Sequence, residues 1–496
     1  MQRLLDASPE STGRRLESLA IRRFRSLARR VAYVILELAR KHLPSWTHRW
    51  LQRLEDAPIV RRLARGVFWT FLSNVLARGL GFASTVVITR LLGKEQYGQV
   101  GIIQNTIEMF NLLAAMGLSP TATKYVAEFR YSQPKRAGRV IALTSATSWV
   151  SGGVMTLMVI FVAPWLAQVT LHDAGMVGML RLGASLLFFG AWNSAQIGSF
   201  TGLEAFKTRA WIVTISGIVN FVALVVGVLY AGKMGVLGAL VVSAAVLSMF
   251  YSHYLREEAL KARIPIQWKG SMREFGLIVH FGIPAMLSTL VLTPVGWACN
   301  TLLIKQPGGY SELGLYNAAS QWNNMIMFLP MMLISASMPV LSDLIGQNRW
   351  DRVPKLLMGL VLLQFVIIVP VGLLSFFSPW IMSLYGKGFA SGGSVMAISI
   401  WVALFAALCT PLWPMLFAAG RAKSIFVLNI CCASLLFVLS YFLVPYGARG
   451  LATARLIYSI ANCVWMFVLA YNTVRAGLRN MEKSPDQRAG SVALVS

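Results

Sequence analysis

Arg78 lies in the middle of an apolar run from Val67 to Thr89, and Glu108 lies at a similar depth in the next run, 98–118. A charged side chain at bilayer depth is costly and is kept where it meets a partner or a water-filled cavity. Arg181 and Arg455 repeat the pattern in the runs 178–202 and 449–471. Arginine keeps its charge and offers a planar fork that holds phosphate or carboxylate through two parallel hydrogen bonds. These three residues therefore point to an anionic ligand. Glu108 is expected either to pair with Arg78 or to take up a coupling cation.

Amides accompany the charges at helical spacing. Asn74 shares a face with Arg78; Gln104 and Asn105 lie beside Glu108; Gln196 follows Arg181. Asn317, Gln321 and Asn324 form a further stripe in the run 314–340. Single amides often join membrane helices, at about a kilocalorie or less per contact. Five polar stripes, three of them with arginine, indicate a binding path. Its candidate residues are Arg78, Arg181, Arg455, Asn74, Gln104, Asn105, Gln196, Asn317, Gln321 and Asn324.

The elements that would position them follow from composition. The chain has 496 residues, 56% hydrophobic and 13% charged, with mean hydropathy +0.62. A membrane helix needs roughly 20 mostly apolar residues, and about twelve such runs occur between 67–89 and 449–471. The reading is an all-α integral membrane protein. The runs are continuously apolar rather than alternating, which excludes a β-barrel.

The formal net charge is +26. Its distribution speaks against nucleic acid as the partner. With the N-terminus cytoplasmic, the even-numbered loops carry 17 Lys and Arg and the odd-numbered loops 6. This bias places both termini in the cytoplasm. The five cysteines lie inside apolar runs without metal-ligand spacing, so neither a metal site nor a disulfide is expected. No P-loop, HExxH or Ser-His-Asp arrangement is present, and no enzyme activity or cofactor is expected.

Five regions are expected. Residues 1–65 carry 15 Lys and Arg against 6 acids, and an apolar stripe from Leu16 to Leu38 recurs every three or four residues. Such a basic amphipathic helix suits an anionic membrane surface or a partner enzyme. A six-helix bundle over 66–255 follows, then a cytoplasmic linker over 256–275. A second six-helix bundle spans 276–474, and 475–496 forms a cytoplasmic tail. A faint repeat crosses the linker. Glu95, Gly98, Gln104, Asn105 and Met109 align at one constant offset with Ser311, Gly314, Ser320, Gln321 and Met325. Parallel repeats of this kind place a transporter's site between the halves.

The segment Phe68 to Phe129 carries ITRLLGxxxYG from Ile88 to Gly98, Gly117, and Thr121 to Tyr125. It resembles the opening of Wzx-type polysaccharide or O-antigen flippases. These belong to the multidrug/oligosaccharidyl-lipid/polysaccharide (MOP) exporter superfamily, which includes the MATE transporters. The resemblance is close from Phe68 to Phe129 and looser from there to about position 475; it does not cover 1–65. It implies two six-helix bundles in a V, with a central cavity open to one side at a time. It also implies movement of a lipid-diphosphate-linked glycan from the cytoplasmic to the outer leaflet of a bacterial inner membrane, driven by an ion gradient. Polysaccharide polymerase and glycosyltransferases are the implied partners. Three alternatives remain open: a drug/cation antiporter, a peptidoglycan-precursor (lipid II) flippase, and a non-transporting glycan-assembly scaffold.

Overall fold

The computed structural model describes the backbone of residues 58–492. The apolar stripe from Leu16 to Leu38, with its anticipated membrane-surface role, lies outside the described residues. The chain divides into two compact units, Met1–Trp69 and Thr70–Ser496. The site lies wholly within the second.

Helices make up most of the described residues, with no strand among them. Lipid explains the choice, because every buried N–H and C=O must find its partner within the spanning segment itself. Among the described residues, seven helices are long and apolar enough to cross a membrane, or eight if one bent pair is a single span. The expected number is about twelve: three further spans lie in helices that run on through tight reversals, and the run 314–340 is split between the shorter helices Gly309–Ile326 and Phe328–Gly346. Three of the seven are 60, 56 and 57 residues long. At 1.5 Å per residue each exceeds a ~30 Å core more than twofold.

Each of the three contains a break. Gly93, the glycine of the ITRLLG run, has φ 72° and ψ 176°. Gly232 has φ 51° beside a non-helical Ala231, and Gly447 has φ 67°. Glycine tolerates positive φ because it lacks Cβ. At the second break the chain folds back on itself. A Cβ on Gly227 would strike the carbonyl of Gly235, and one on Gly235 the carbonyl of Gly227.

The seventh apolar run is a bent pair, Ser271–Leu287 and Leu292–Ile304, at 42°. Its first part packs on the N-terminal half. Phe281 stacks edge-on against Tyr125 under the Lys124 ammonium, and Gly282 meets Gly117 backbone to backbone. Its second part hydrogen-bonds back to the second run, where Trp297 Nε1 donates to Thr106 Oγ1 at 3.0 Å.

The connection between the halves is strapped to the third run. Glu274, 5% exposed, accepts from Arg136 Nε at 2.9 Å and Arg139 Nη2 at 3.0 Å. A buried carboxylate is tolerable when paired in this way. Trp268 in the same connection stacks on Trp149.

Candidate functional site

The second run contributes the centre of the site. Gln104, Glu108 and Asn111 recur at intervals of four and three, so they share one face of a helix. Together with Ala77, Ser216, Asn220 and Ser243 they line a cavity of about 510 Å³ within the N-terminal half. Asn105, one residue round, turns with Gln104 and Glu108 toward a second cavity of about 400 Å³. Asn300, Asn317, Gln321, Asn324 and Arg455 line its far wall. A third cavity, about 380 Å³, lies in the C-terminal half among Asn323, Ser399, Tyr458, Ser459 and Asn462.

The three cavities share walls. Gln104 and Glu108 border the first and second; Gly296, Tyr316, Ser320, Asn324 and Arg455 border the second and third. The result is a continuous polar path across both halves. Among the described residues lining it, Glu108 is the one acid and Arg455 the one base.

Arg455 sits where the second and third cavities meet. Its guanidinium lies over the Tyr316 ring, 5.0 Å from the centroid. Gly296 lies beside it, where even a Cβ would be in ordinary contact, 3.8 Å from Nη2. Stacking holds the planar head in place beside the cavity. Arg455 Nε, Asn105 Nδ2 and Asn317 Nδ2 are buried without a hydrogen-bond partner. An unmet buried donor costs about 1–3 kcal/mol, and all three belong to residues that border the second cavity, Asn317 Nδ2 being packed against Gly101. Asn111 Oδ1 and Ser243 Oγ in the first cavity, and Asn462 Oδ1 in the third, are buried and unpartnered in the same way.

Other candidates sit elsewhere. Arg78 donates from Nη1 to the Asn324 carbonyl at 2.8 Å and lies over the Phe328 ring. It is exposed and lines none of the three cavities, although Asn324, whose carbonyl it bonds, lines two of them. No ion pair joins Arg78 to Glu108 in this structure; a pairing of the two belongs to another conformational state if it forms. The reason is rotational: Ala77, not Arg78, faces the first cavity beside Glu108. Asn74 is one turn earlier on the same helix and lines none of the three cavities.

Arg181 is exposed and also lines none of the three. It shares a helix face with Phe188 and Trp192, which pack toward the third run at Gly152 and Trp149. Gln196, 1% exposed, donates to the Ser248 carbonyl at 3.2 Å and to Ser252 Oγ at 2.5 Å. Asn193 joins the same network through Ser248 Oγ at 3.0 Å. These bonds tie two helices of the N-terminal half together.

Sequence reasoning missed Asn111, Ser216, Asn220, Ser243 and Asn300. Asn111 continues the face of Gln104 and Glu108 and could have been found by spacing. Ser216 and Asn220 lie four apart on one helix face and could have been found the same way, whereas Ser243 and Asn300 carry a weaker signal.

This arrangement is that of the MATE fold. A solved multidrug-resistance MATE transporter of the MOP superfamily, in an inward-facing conformation, superposes with TM-score 0.70 at 17% identity, covering 81% of this chain and 95% of that one. The model of the polysaccharide biosynthesis protein family matches residues 63–345, and that of the MatE family residues 284–442. The chain belongs to the polysaccharide biosynthesis protein family. It is 22% identical over 264 residues to the lipid III flippase of Escherichia coli K12, which is 52% of this chain and 62% of that protein. It is 23% identical over 288 residues to the EPS I polysaccharide export inner membrane protein EpsE of Ralstonia solanacearum, 55% of this chain and 62% of that one. The matches thus span less than two thirds of either relative's length.

Proposed function

We propose that this protein flips a lipid-diphosphate-linked oligosaccharide from the cytoplasmic to the outer leaflet of a bacterial inner membrane, by alternating access. The observation that carries the reading is Arg455, stacked over Tyr316 at the meeting of two cavities with its Nε unpartnered. With Asn105 and Asn317 it offers a donor set for a diphosphate. The surrounding amides and hydroxyls suit sugar hydroxyls, and each cavity has the size of an ordinary small-molecule pocket.

The lipid III flippase and the EPS export protein support the same substrate class. Two six-helix halves, 66–255 and 276–474, would move about the path, with both termini cytoplasmic as the loop charges require. Glu108, bordering two cavities, is the group we assign to ion coupling. Its carboxylate is also the one observation that favours the second reading, a drug/cation antiporter. A cationic drug would meet Arg455 in the same path, which argues against it.

Deletion of the gene tests the proposal. Undecaprenyl-diphosphate-linked glycan should accumulate on the cytoplasmic leaflet, and the intact gene but not Arg455→Ala should clear it. An unchanged leaflet distribution in the deletion strain would rule the flippase reading out.

A further inference from the structure

Gly98 and Gly314 occupy equivalent positions of the sequence repeat, and they meet at the end of the bundle that carries Gly93. A Cβ on Gly98 would collide with the carbonyl of Tyr310 and come within 3.0 Å of the Gly314 nitrogen. A Cβ on Gly314 would collide with the carbonyl of Lys94 and come within 3.3 Å of the Gly98 nitrogen. Lys94 and Tyr310 are themselves equivalent at the same offset. The contact is therefore reciprocal, as at a two-fold axis, where each member touches the other's equivalent.

We propose that this glycine crossing is a gate, closed in this structure, whose parting opens the polar path at the Gly93 end. The inference rests on the reading of the chain as an alternating-access flippase. Tyr97 and Gly101, on either side of Gly98, line the second cavity, as do Tyr316 and Asn317 just beyond Gly314. The crossing thus caps that cavity. What surrounds it can separate at low cost. Arg90 Nε donates to the Leu384 carbonyl at 2.8 Å, Tyr310 Oη to the Leu171 carbonyl at 2.6 Å, and Tyr97 meets Phe389 edge-on. Among the described residues no ion pair spans this end. Small residues allow membrane helices to approach backbone to backbone. A methyl group at either glycine meets backbone that cannot yield, so it must hold the two helices apart.

The test places a reporter in the second cavity as Ser320→Cys and reads its reaction with a membrane-impermeant maleimide. Right-side-out and inside-out vesicles are compared, with the chain lacking Ser320→Cys as background. Gly98→Ala and Gly314→Ala should each raise labelling from the Gly93 side at least about tenfold, since a minor state of roughly 0.1–10% becomes the major one. Gly81→Ala, at a helical glycine with no neighbour within 4 Å, should change nothing. Unchanged labelling in both variants, each monodisperse on gel filtration, would overturn the gate, as would an equal rise in Gly81→Ala.

A second measurement does not depend on the glycine variants folding. Arg90→Cys with Leu384→Cys, joined by a short bifunctional maleimide, should abolish labelling from the Gly93 side. Undiminished labelling of the cross-linked chain would equally overturn the gate. Because accessibility is read without substrate, a gate that responds in a chain that flips no glycan would refute the substrate reading alone.

Discussion

Asn324 occupies the position that Glu108 holds one repeat earlier, and both residues line the second cavity. The repeat has placed the two positions alike and then diverged in charge. Glu108 brings a carboxylate to the N-terminal side of the path. Asn324 is neutral, and its carbonyl accepts from Arg78. The Arg78 guanidinium thus bonds the residue equivalent to Glu108 rather than Glu108 itself.

That geometry sets the outcome of a double-mutant cycle. Glu108→Gln and Arg78→Ala should impair transport independently, with a coupling energy under about 0.5 kcal/mol, as for residues without a shared contact. Transport of a reporter glycan in the two single variants and the double variant measures it. A coupling of about 1 kcal/mol or more, in the range of residues that touch, would mean that the pair forms in another conformation of the cycle.

Arg455 should be needed as arginine and not merely as a positive charge. Lysine keeps the charge but loses the planar fork and the stacking on Tyr316. A charge-assisted hydrogen bond is worth about 1.5–3 kcal/mol, so Arg455→Ala should weaken binding roughly ten- to a hundredfold. Arg455→Lys should recover only part of it. Affinity for undecaprenyl diphosphate in nanodiscs is the measurement, and full recovery by lysine would contradict the bidentate role.

Much of this was legible in the chain, and the legible part has a common cause. Depth in a membrane helix follows from counting residues along an apolar run, which is why Glu108, Asn317 and Arg455 could be placed at the path. The repeat was readable because Gly98 and Gly314 admit no side chain where two backbones touch. Rotation about a helix axis is another matter. Nothing in the run 67–89 says that Ala77 rather than Arg78 faces the first cavity, because that depends on which neighbour each face meets. Ser243 was hidden for the same reason. One polar residue in an apolar run has no period, and only the fold shows what stands opposite.

Gln196 offers a clean separation of structural and binding roles. Its bonds to Ser248 and Ser252 join two helices, and such contacts in membrane proteins average about 0.6 kcal/mol with a ceiling near ~1.7 kcal/mol. Gln196→Leu should therefore lower thermal stability slightly and leave undecaprenyl diphosphate affinity unchanged. Weakened binding at an unchanged melting temperature would return Gln196 to the binding path.

Glu274 should matter more than any other acid in the loops. It is nearly buried and carries two arginines, Arg136 and Arg139, which are themselves 34% and 28% exposed at the side chain. Removing one member of a buried pair costs about 3–5 kcal/mol. Solvent reaches both arginines and screens the loss, so Glu274→Gln should cost less, about 1–3 kcal/mol. The connection between the halves would then be held to the third run by packing, with Trp268 on Trp149 and the Pro265 carbonyl against Gly138. Proteolysis of the connection in detergent-solubilised protein reads this directly. Glu274→Gln should be cut there faster than the parent chain, and Trp268→Ala combined with it faster still. Equal cutting rates for parent and Glu274→Gln would show that the strap is held by packing and that the ion pairs add nothing.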